Sequence, residues 1–428
     1  MFDQFIHNLG SPVSTMLLQI VAILVVAKAC GSMLRFFGQP QVVGEMLAGI
    51  LLGPSLLKPL APEVHAFLFP PSSLDKLFFL SQIGILIYMF VVGLELNVKS
   101  LQSKARSAVA ISLSSIVLPF ALGIGAALLL FDSYGPRSGD TLGFALFMGI
   151  AMSITAFPVL ARILQEQGLA GSRLGSTAIA CAATDDIVAW CVLAIVVGVV
   201  QSGSAFGAAF TIICALAYVT FMFAIVRPLL RKWLQASGLT DPVSSGFQAF
   251  AFLALFLSAW ITETIGIHAL FGAFIVGVVI PDGNGFKAKI VDRILDVTSM
   301  ILLPLFFAFT GLRTQLGLLH DPQSLLVCGL ILALAVLGKL GGAAVAARFT
   351  GHDWRTSTIL GLLLNTRGLM ELIVLNLGYD LGLLGPKIFA IMVVMALITT
   401  MMTGPLVRWL LAKPVASLDA EAAATPTF

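Results

Sequence analysis

Charge is what this chain has least of. Of 428 residues, 24 are lysine or arginine and 21 are aspartate or glutamate. That is 11% charged, where a soluble domain carries about 25%. With 59% hydrophobic residues and a mean hydropathy of +1.03, this scarcity excludes a soluble fold and leaves a polytopic membrane protein. Cysteine is also scarce. Cys30, Cys181, Cys191, Cys214 and Cys328 all lie in apolar segments, which excludes a disulfide framework or a cysteine metal site and reads as packing. No polar stretch is long enough for a soluble domain. The hydrophobic pattern runs to about Leu411, and residues 413–428 are expected to form a short, Ala-rich cytoplasmic tail. The start of the chain is neither basic nor followed by a cleavage signature, so no signal peptide is expected. Nothing calls for a cofactor or a nucleic-acid partner, and the chain is not expected to be an enzyme.

What the chain has instead is long apolar runs. At roughly 20 residues per crossing, thirteen spans are expected, near 14–36, 41–57, 77–96, 107–131, 141–165, 173–200, 205–230, 244–263, 266–281, 291–312, 324–348, 355–379 and 386–411. With the N-terminus outside, sixteen basic residues fall in inner loops and five in outer ones, while Lys28, Lys339 and Arg367 fall inside spans. That bias supports an N-out, C-in chain with an odd number of spans.

Two internal echoes suggest a repeat. Gly44–Pro54 in span 2 resembles Phe271–Pro281 in span 9, and Ile85–Glu95 in span 3 resembles Leu303–Arg313 in span 10. Spans 1–6 then pair with spans 8–13, and span 7 is a linker helix that turns the second six upside down. Inverted-topology repeats of this kind are a secondary-transporter architecture. Spans 5 and 12 correspond, and both are broken. The first reads Gly149-Ile150-Ala151-Met152-Ser153-Ile154-Thr155-Ala156-Phe157-Pro158, the second Leu364-Asn365-Thr366-Arg367-Gly368-Leu369-Met370-Glu371. Two discontinuous crossing helices at matching positions mark the expected transport site.

Span 6 carries Thr184-Asp185-Asp186 between Ala178–Ala183 and Ile187–Ile195. A carboxylate at bilayer depth costs at least about 2.5 kcal/mol on insertion scales, so two in succession imply function. Lys339, mid-span in the second half, needs an anionic partner unless it snorkels to the interface. Arg367 and Glu371 are four residues apart on one helix face. They read either as an ion pair that neutralises half-helix ends or as direct substrate contacts. Glu45, Glu95, Glu263 and His268 lie at span edges and read as caps, pivots or gates.

These parts suit a hard monovalent cation, which wants oxygen ligands. Asp186, the hydroxyl of Thr184 or Thr155, and unwound carbonyls could supply them. One carboxylate that takes either a proton or Na⁺ (or K⁺), but not both, gives obligatory exchange if it faces each side in turn. Successive helical residues point about 100° apart, so the two acids should differ in role. Asp186 is assigned to the ion, and Asp185 to a pair with Lys339.

Thr184-Asp185-Asp186-Ile187-Val188-Ala189-Trp190 strongly resembles the ion-site motif of the monovalent cation:proton antiporter-2 family. Ser153–Arg162, Pro304–Arg313 and Asn365–Leu372 are similar to the same branch, and the resemblance covers about residues 14–411. It implies a core of about 77–200 and 291–411, a dimerisation scaffold of about 14–57 and 205–281, an elevator-like core movement and a homodimer. It also implies a multi-pass protein of a bacterial inner membrane that serves pH homeostasis. In two-acid relatives the second acid is the cation ligand, and the first can pair with the lysine that Lys339 matches. Many plant members carry Asn at the position of Asp185. Potassium efflux relatives carry a C-terminal nucleotide-binding domain, which is not expected here. Sodium is the expected cation, with Li⁺ or K⁺ as alternatives. A sodium-coupled organic anion carrier, a cation channel and an intramembrane aspartyl protease are the competing readings. The protease lacks support because the acids are adjacent and no Gly-x-Gly-Asp motif occurs.

Overall fold

The computed structural model describes residues 11–95, 105–136, 139–169, 172–202, 205–236, 245–281 and 286–412. The expected tail at 413–428 and the loop cations Lys99, Lys104, Arg137 and Lys413 lie outside the described residues. Among the described residues there is no strand. Among the described residues ten helices are long and apolar enough to cross a bilayer, and Thr141–Ser153 and Ala269–Val279 are shorter apolar helices.

In chain order the first half holds α1 (Pro12–Phe36), α2 (Gln41–Leu52), α3 (Pro71–Glu95), α4 (Ala105–Tyr134), α5 (Thr141–Ser153), α6 (Phe157–Glu166) and α7 (Arg173–Ser202). Next, α8 (Ala205–Phe221) runs through a π-helical turn, Met222–Val226, into α9 (Arg227–Ala236). The second half holds α10 (Ser245–Ile265), α11 (Ala269–Val279), α12 (Phe286–Val297), α13 (Leu303–Arg313), α14 (Pro322–Val336), α15 (Gly342–Phe349), α16 (Trp354–Leu364), α17 (Leu369–Asp380) and α18 (Pro386–Leu411). Further π-turns, Thr298–Leu302 and Leu337–Gly341, join α12 to α13 and α14 to α15.

Local chemistry starts these helices where the chain leaves the bilayer. Asp321 caps α14 by accepting from Ser324 N at 2.9 Å, with Pro322 in the first turn. Asp353 caps α16 by accepting from Arg355 N and Thr356 N at 3.0 and 3.1 Å. Each cap satisfies N–H groups that the helix itself leaves unpaired.

The helices that hold the polar residues are buried, and small residues set how closely they meet. A Cβ on Gly93 would lie 2.2 Å from Phe274 O, and one on Gly277 would lie 2.2 Å from Phe90 O. Backbones α3 and α11 therefore touch. Helices α2 and α13 meet likewise, with Gly49 against Ala308 and Gly311 against Met46. Close approach through small residues is how membrane helices gain packing where the solvent is as apolar as the side chains. Trp190 on α7 stacks on Phe274 of α11, with centroids 6.1 Å apart.

Candidate functional site

Both interrupted segments break where polar residues occur in the sequence. Helix α5 ends at Ser153, and Ile154 is extended (φ −73°, ψ 140°). Helix α6 begins at Phe157, so Pro158 occupies its first turn. Proline is tolerated there because that N–H has no intrahelical partner. In the second half α16 ends at Leu364 and α17 begins at Leu369. Gly368 has φ +155°, a conformation that L side chains rarely adopt. The two breaks cross and are joined by backbone: Ala156 N donates to Thr366 O at 2.9 Å. Thr155 Oγ1, whose one proton has its shorter contact to Asp185, also lies 3.1 Å from Leu364 O. Unwound backbone is thereby satisfied inside protein, as membrane depth requires.

Helix α5 ends in free carbonyls, the negative end of a helix dipole. Two cations cap it. Arg367 donates through Nη1 to Ala151 O at 2.9 Å and through Nη2 to Met152 O at 2.7 Å. Lys339 Nζ donates to Ser153 O, and to Ser115 O on α4 at 3.2 Å. Lys339 lies within the π-turn Leu337–Gly341, a local widening that often accompanies functional sites. Both side chains are fully buried.

Asp185 and Asp186 leave α7 in different directions and meet different surroundings. Asp185 is surrounded by donors. Ser112 reaches its Oδ1 at 2.5 Å, Ser115 its Oδ2 at 3.0 Å, and Thr155 its Oδ2 at 2.5 Å. Lys339 Nζ lies 3.6 Å from Oδ2. Asp186 is also buried, at 3% exposure, yet its Oδ1 has no hydrogen-bond partner among the described residues. An unpartnered buried oxygen is rare enough to need an explanation. Arg367 Nη1 pairs with Glu371 at 3.3 Å, and neither Glu371 oxygen accepts a hydrogen bond among the described residues. Asn365 Oδ1 and Nδ2 and Thr366 Oγ1 are likewise buried and unpartnered.

Of the residues singled out in the sequence, Asp185, Thr155 and Lys339 form one contact cluster, and Arg367 and Glu371 form a second on the same half-helix end. Thr184 takes no part in either, because its hydroxyl bonds back to Ala180 O of its own helix at 2.8 Å. Thr155 reaches Asp185 and Leu364 O. Sequence reasoning missed Ser112 and Ser115. Their only signal is an i, i+3 spacing on one face of span 4. It also missed Thr400, which accepts from Arg367 N at 3.1 Å, donates to Arg367 O at 2.8 Å and so fixes the second break.

Residues 21–413 match the sequence profile described as "Sodium/hydrogen exchanger, transmembrane". The chain is 43% identical over 392 residues to the Na⁺/H⁺ antiporter NhaS4 of Synechocystis, covering 91% of this chain and 96% of that one. It is 31% identical over 415 residues to K⁺/H⁺ antiporter 1 of Saccharomyces cerevisiae, covering 95% of this chain but 47% of the yeast protein. The fold is similar to that of the sodium proton antiporter MjNhaP1 from Methanocaldococcus jannaschii, with TM-score 0.68 at 14% identity, over 93% of this chain and 97% of that one.

Proposed function

Since the chain belongs to the sodium/hydrogen exchanger family and is a monovalent cation:proton antiporter, we propose that it exchanges Na⁺ for H⁺ by alternating access, with the two ions competing for Asp186. The observation that carries this reading is the contrast between the acids. Asp185 already accepts from three hydroxyls beside Lys339. Asp186 keeps a buried oxygen without a partner. A proton on that oxygen, or a dehydrated cation against it, each satisfies it, and one excludes the other. Release of the proton and binding of the cation are then a single exchange on one carboxylate.

In this reading Asp185 and Lys339 form a pair that loosens or tightens with occupancy of Asp186. Arg367, Glu371 and the crossed half-helix ends fix the charge around it. In the same reading the chain crosses thirteen times in two inverted six-helix repeats, with α8–α9 as the linker. A core of about 77–200 and 291–411 would move against a scaffold of about 14–57 and 205–281, in a homodimer of a bacterial inner membrane with its N-terminus outside. Its role there is pH homeostasis. Sodium is favoured by the identity to NhaS4 over nearly the whole of both chains. Potassium is the second reading, favoured by the match to the yeast protein.

The test is quenching and dequenching of a pH-sensitive dye in everted vesicles with Na⁺, Li⁺ and K⁺. Asp186→Asn is expected to abolish cation-driven dequenching, and full activity in that variant overturns the site. Competition also fixes a pH signature. Over the acidic range the cation concentration for half-maximal exchange should rise by about tenfold for each unit by which the pH falls, as expected for one proton displaced per cation. A pH-independent half-maximal concentration would exclude a shared seat.

A further inference from the structure

On α7 two buried side-chain atoms have no hydrogen-bond partner among the described residues, Asp186 Oδ1 and Trp190 Nε1. The first is an acceptor when ionised, and the second is only ever a donor. Trp190 is 3% exposed, as Asp186 is. A buried indole N–H ordinarily finds a partner. Two opposite orphans on one helix therefore call for a common explanation.

Their positions supply it. The two residues are four apart in the chain, which puts them on one face of α7 with Cβ atoms about 5–6 Å apart. A helical side chain leans toward the N-terminus of its helix, so the Trp190 ring lies over the turn that carries Asp186. Phe274 of α11 holds the ring there, with centroids 6.1 Å apart and planes inclined by 20°. The N–H lies in the indole plane. With the two planes nearly parallel it cannot point into the Phe274 face, so an N–H···π contact with that ring is excluded. No direct hydrogen bond joins Trp190 to Asp186 either. Two hydrogen bonds through one oxygen span about 5.7 Å, at about 2.9 Å for N–H···O and about 2.8 Å for O–H···O. That is the scale of the separation between neighbouring turns, about 5.4 Å.

We propose that Trp190 holds one water against Asp186, and that the cation binds there with this water still attached. This assignment rests on Asp186 as the seat of the cation. A water that accepts from Trp190 and donates to Asp186 keeps one lone pair, which faces the cation, and one hydrogen. A buried water ordinarily has about three partners. The buried phenol of Tyr88 on α3, on which the charges of Glu95, Asp186 and Glu45 act, is the third. When the carboxyl is protonated instead, it donates to the same lone pair. Proton and cation thus compete for the water as well as for the carboxylate, and the cation sheds the rest of its hydration shell but not this member. Trp190 is accordingly a positioning residue. Its effect is largest for Li⁺ and Na⁺, since attraction between a charge and a water oxygen grows as the two come closer.

Two replacements in the full-length protein test this. One is Trp190→Phe. The other is benzothienylalanine at position 190, which keeps the shape of the indole with sulfur in place of N–H. In everted vesicles both should raise the half-maximal Na⁺ concentration by about fivefold, the factor that one neutral hydrogen bond supplies. Half-maximal K⁺ should rise by less, so the preference between the two ions should shift. Ultraviolet resonance Raman spectroscopy reports the N–H directly. It is read in a protein that keeps Trp190 and carries Phe at Trp233, Trp260, Trp354 and Trp409, all of them exposed, so it serves even if neither Trp190 replacement folds. The Trp190 N–H should be hydrogen-bonded, and its band should shift when Na⁺ is added. A free N–H would overturn the water. Unchanged half-maximal Na⁺ in both replacements would overturn its part in cation binding. A rise in Trp190→Phe that benzothienylalanine does not reproduce would assign Trp190 to packing on Phe274 instead. Full exchange in Asp186→Asn would overturn the seat of the cation, whatever the state of the N–H.

Discussion

Asp185 and Lys339 are both fully buried and 3.6 Å apart. Breaking a buried pair by removing one partner costs about 3–5 kcal/mol, because the other charge is left uncompensated. Here three hydroxyls soften that loss. We expect Lys339→Gln to lower stability by about 3 kcal/mol, at the low end of that range, and Asp185→Asn to recover a large part of it in the double variant. Thermal unfolding of the four proteins of this cycle gives the coupling, which should lie between about 0.5 and 3 kcal/mol. A coupling near zero would mean that Lys339 serves the carbonyls of Ser115 and Ser153 alone. Lys339→Gln should also change how the exchange responds to membrane potential. At this scale the sequence was readable where lipid makes a residue expensive. Two acids, one lysine and an arginine–glutamate pair inside apolar runs have few innocent explanations. Serine and threonine were not readable in this way, because a hydroxyl can always bond back to its own helix. Thr184 does so despite sitting in the motif, whereas Ser112 and Ser115 turn outward to Asp185. Ser115 also bonds Ser112 O at 2.9 Å, so composition alone could not separate the two behaviours.

Between elements, the breaks are fixed by a few contacts that a sequence pattern can only suggest. Pro158 and Gly368 signalled interruptions. The structure puts the first at residues 154–156, before the proline, and gives Gly368 its positive φ. Gly368→Ala would force a side chain into that conformation, with its Cβ 3.1 Å from Val159, at a cost of about 1–3 kcal/mol. The expected result is a folded, less stable protein whose exchange rate falls more than its cation affinity, read as maximal dequenching rate against half-maximal cation. At the N-terminal ends of α14 and α18, Asp321 accepts from Lys387 at 2.9 Å and from Ser324. The Lys387 side chain foremost, and Ser324 with it, hold the Asp321 carboxyl well below the usual carboxylate range. A depressed folded pKa stabilises the fold above the unfolded value, about 3.9, and that contribution is lost as pH falls through the folded value. Lys387→Gln should therefore lower the unfolding temperature near neutrality, and the gap from wild type should narrow below about pH 4. A constant gap across that window would rule out the ion pair as its source.

Over the whole molecule, the all-helical, multi-pass character was legible because apolar runs of about 20 residues satisfy their backbone in lipid as helices. How the runs pack was not, since all of them are apolar. The arrangement depends on where glycine permits contact, as at Gly93 and Gly277. The proposed orientation makes a direct prediction. In a variant without the five native cysteines, Cys placed at His320 should react with an impermeant thiol reagent on intact cells. Cys placed at Arg231 should react only after permeabilisation. The reverse pattern would invert the topology. The donors around Asp185 also set an order of assembly during synthesis. Ser112, Ser115 and Thr155 precede it by 73, 70 and 30 residues. Lys339 follows 154 residues later in the chain, about 8–30 s of translation at 5–20 residues per second. For that interval the emerging helix carries its acids into the bilayer with hydroxyls already in place and no countercharge yet made. Three neutral donors that arrive first give Asp185 somewhere to wait, so a ribosome-associated intermediate truncated before α14 should insert α7, while one that also lacks Ser112, Ser115 and Thr155 should insert it poorly.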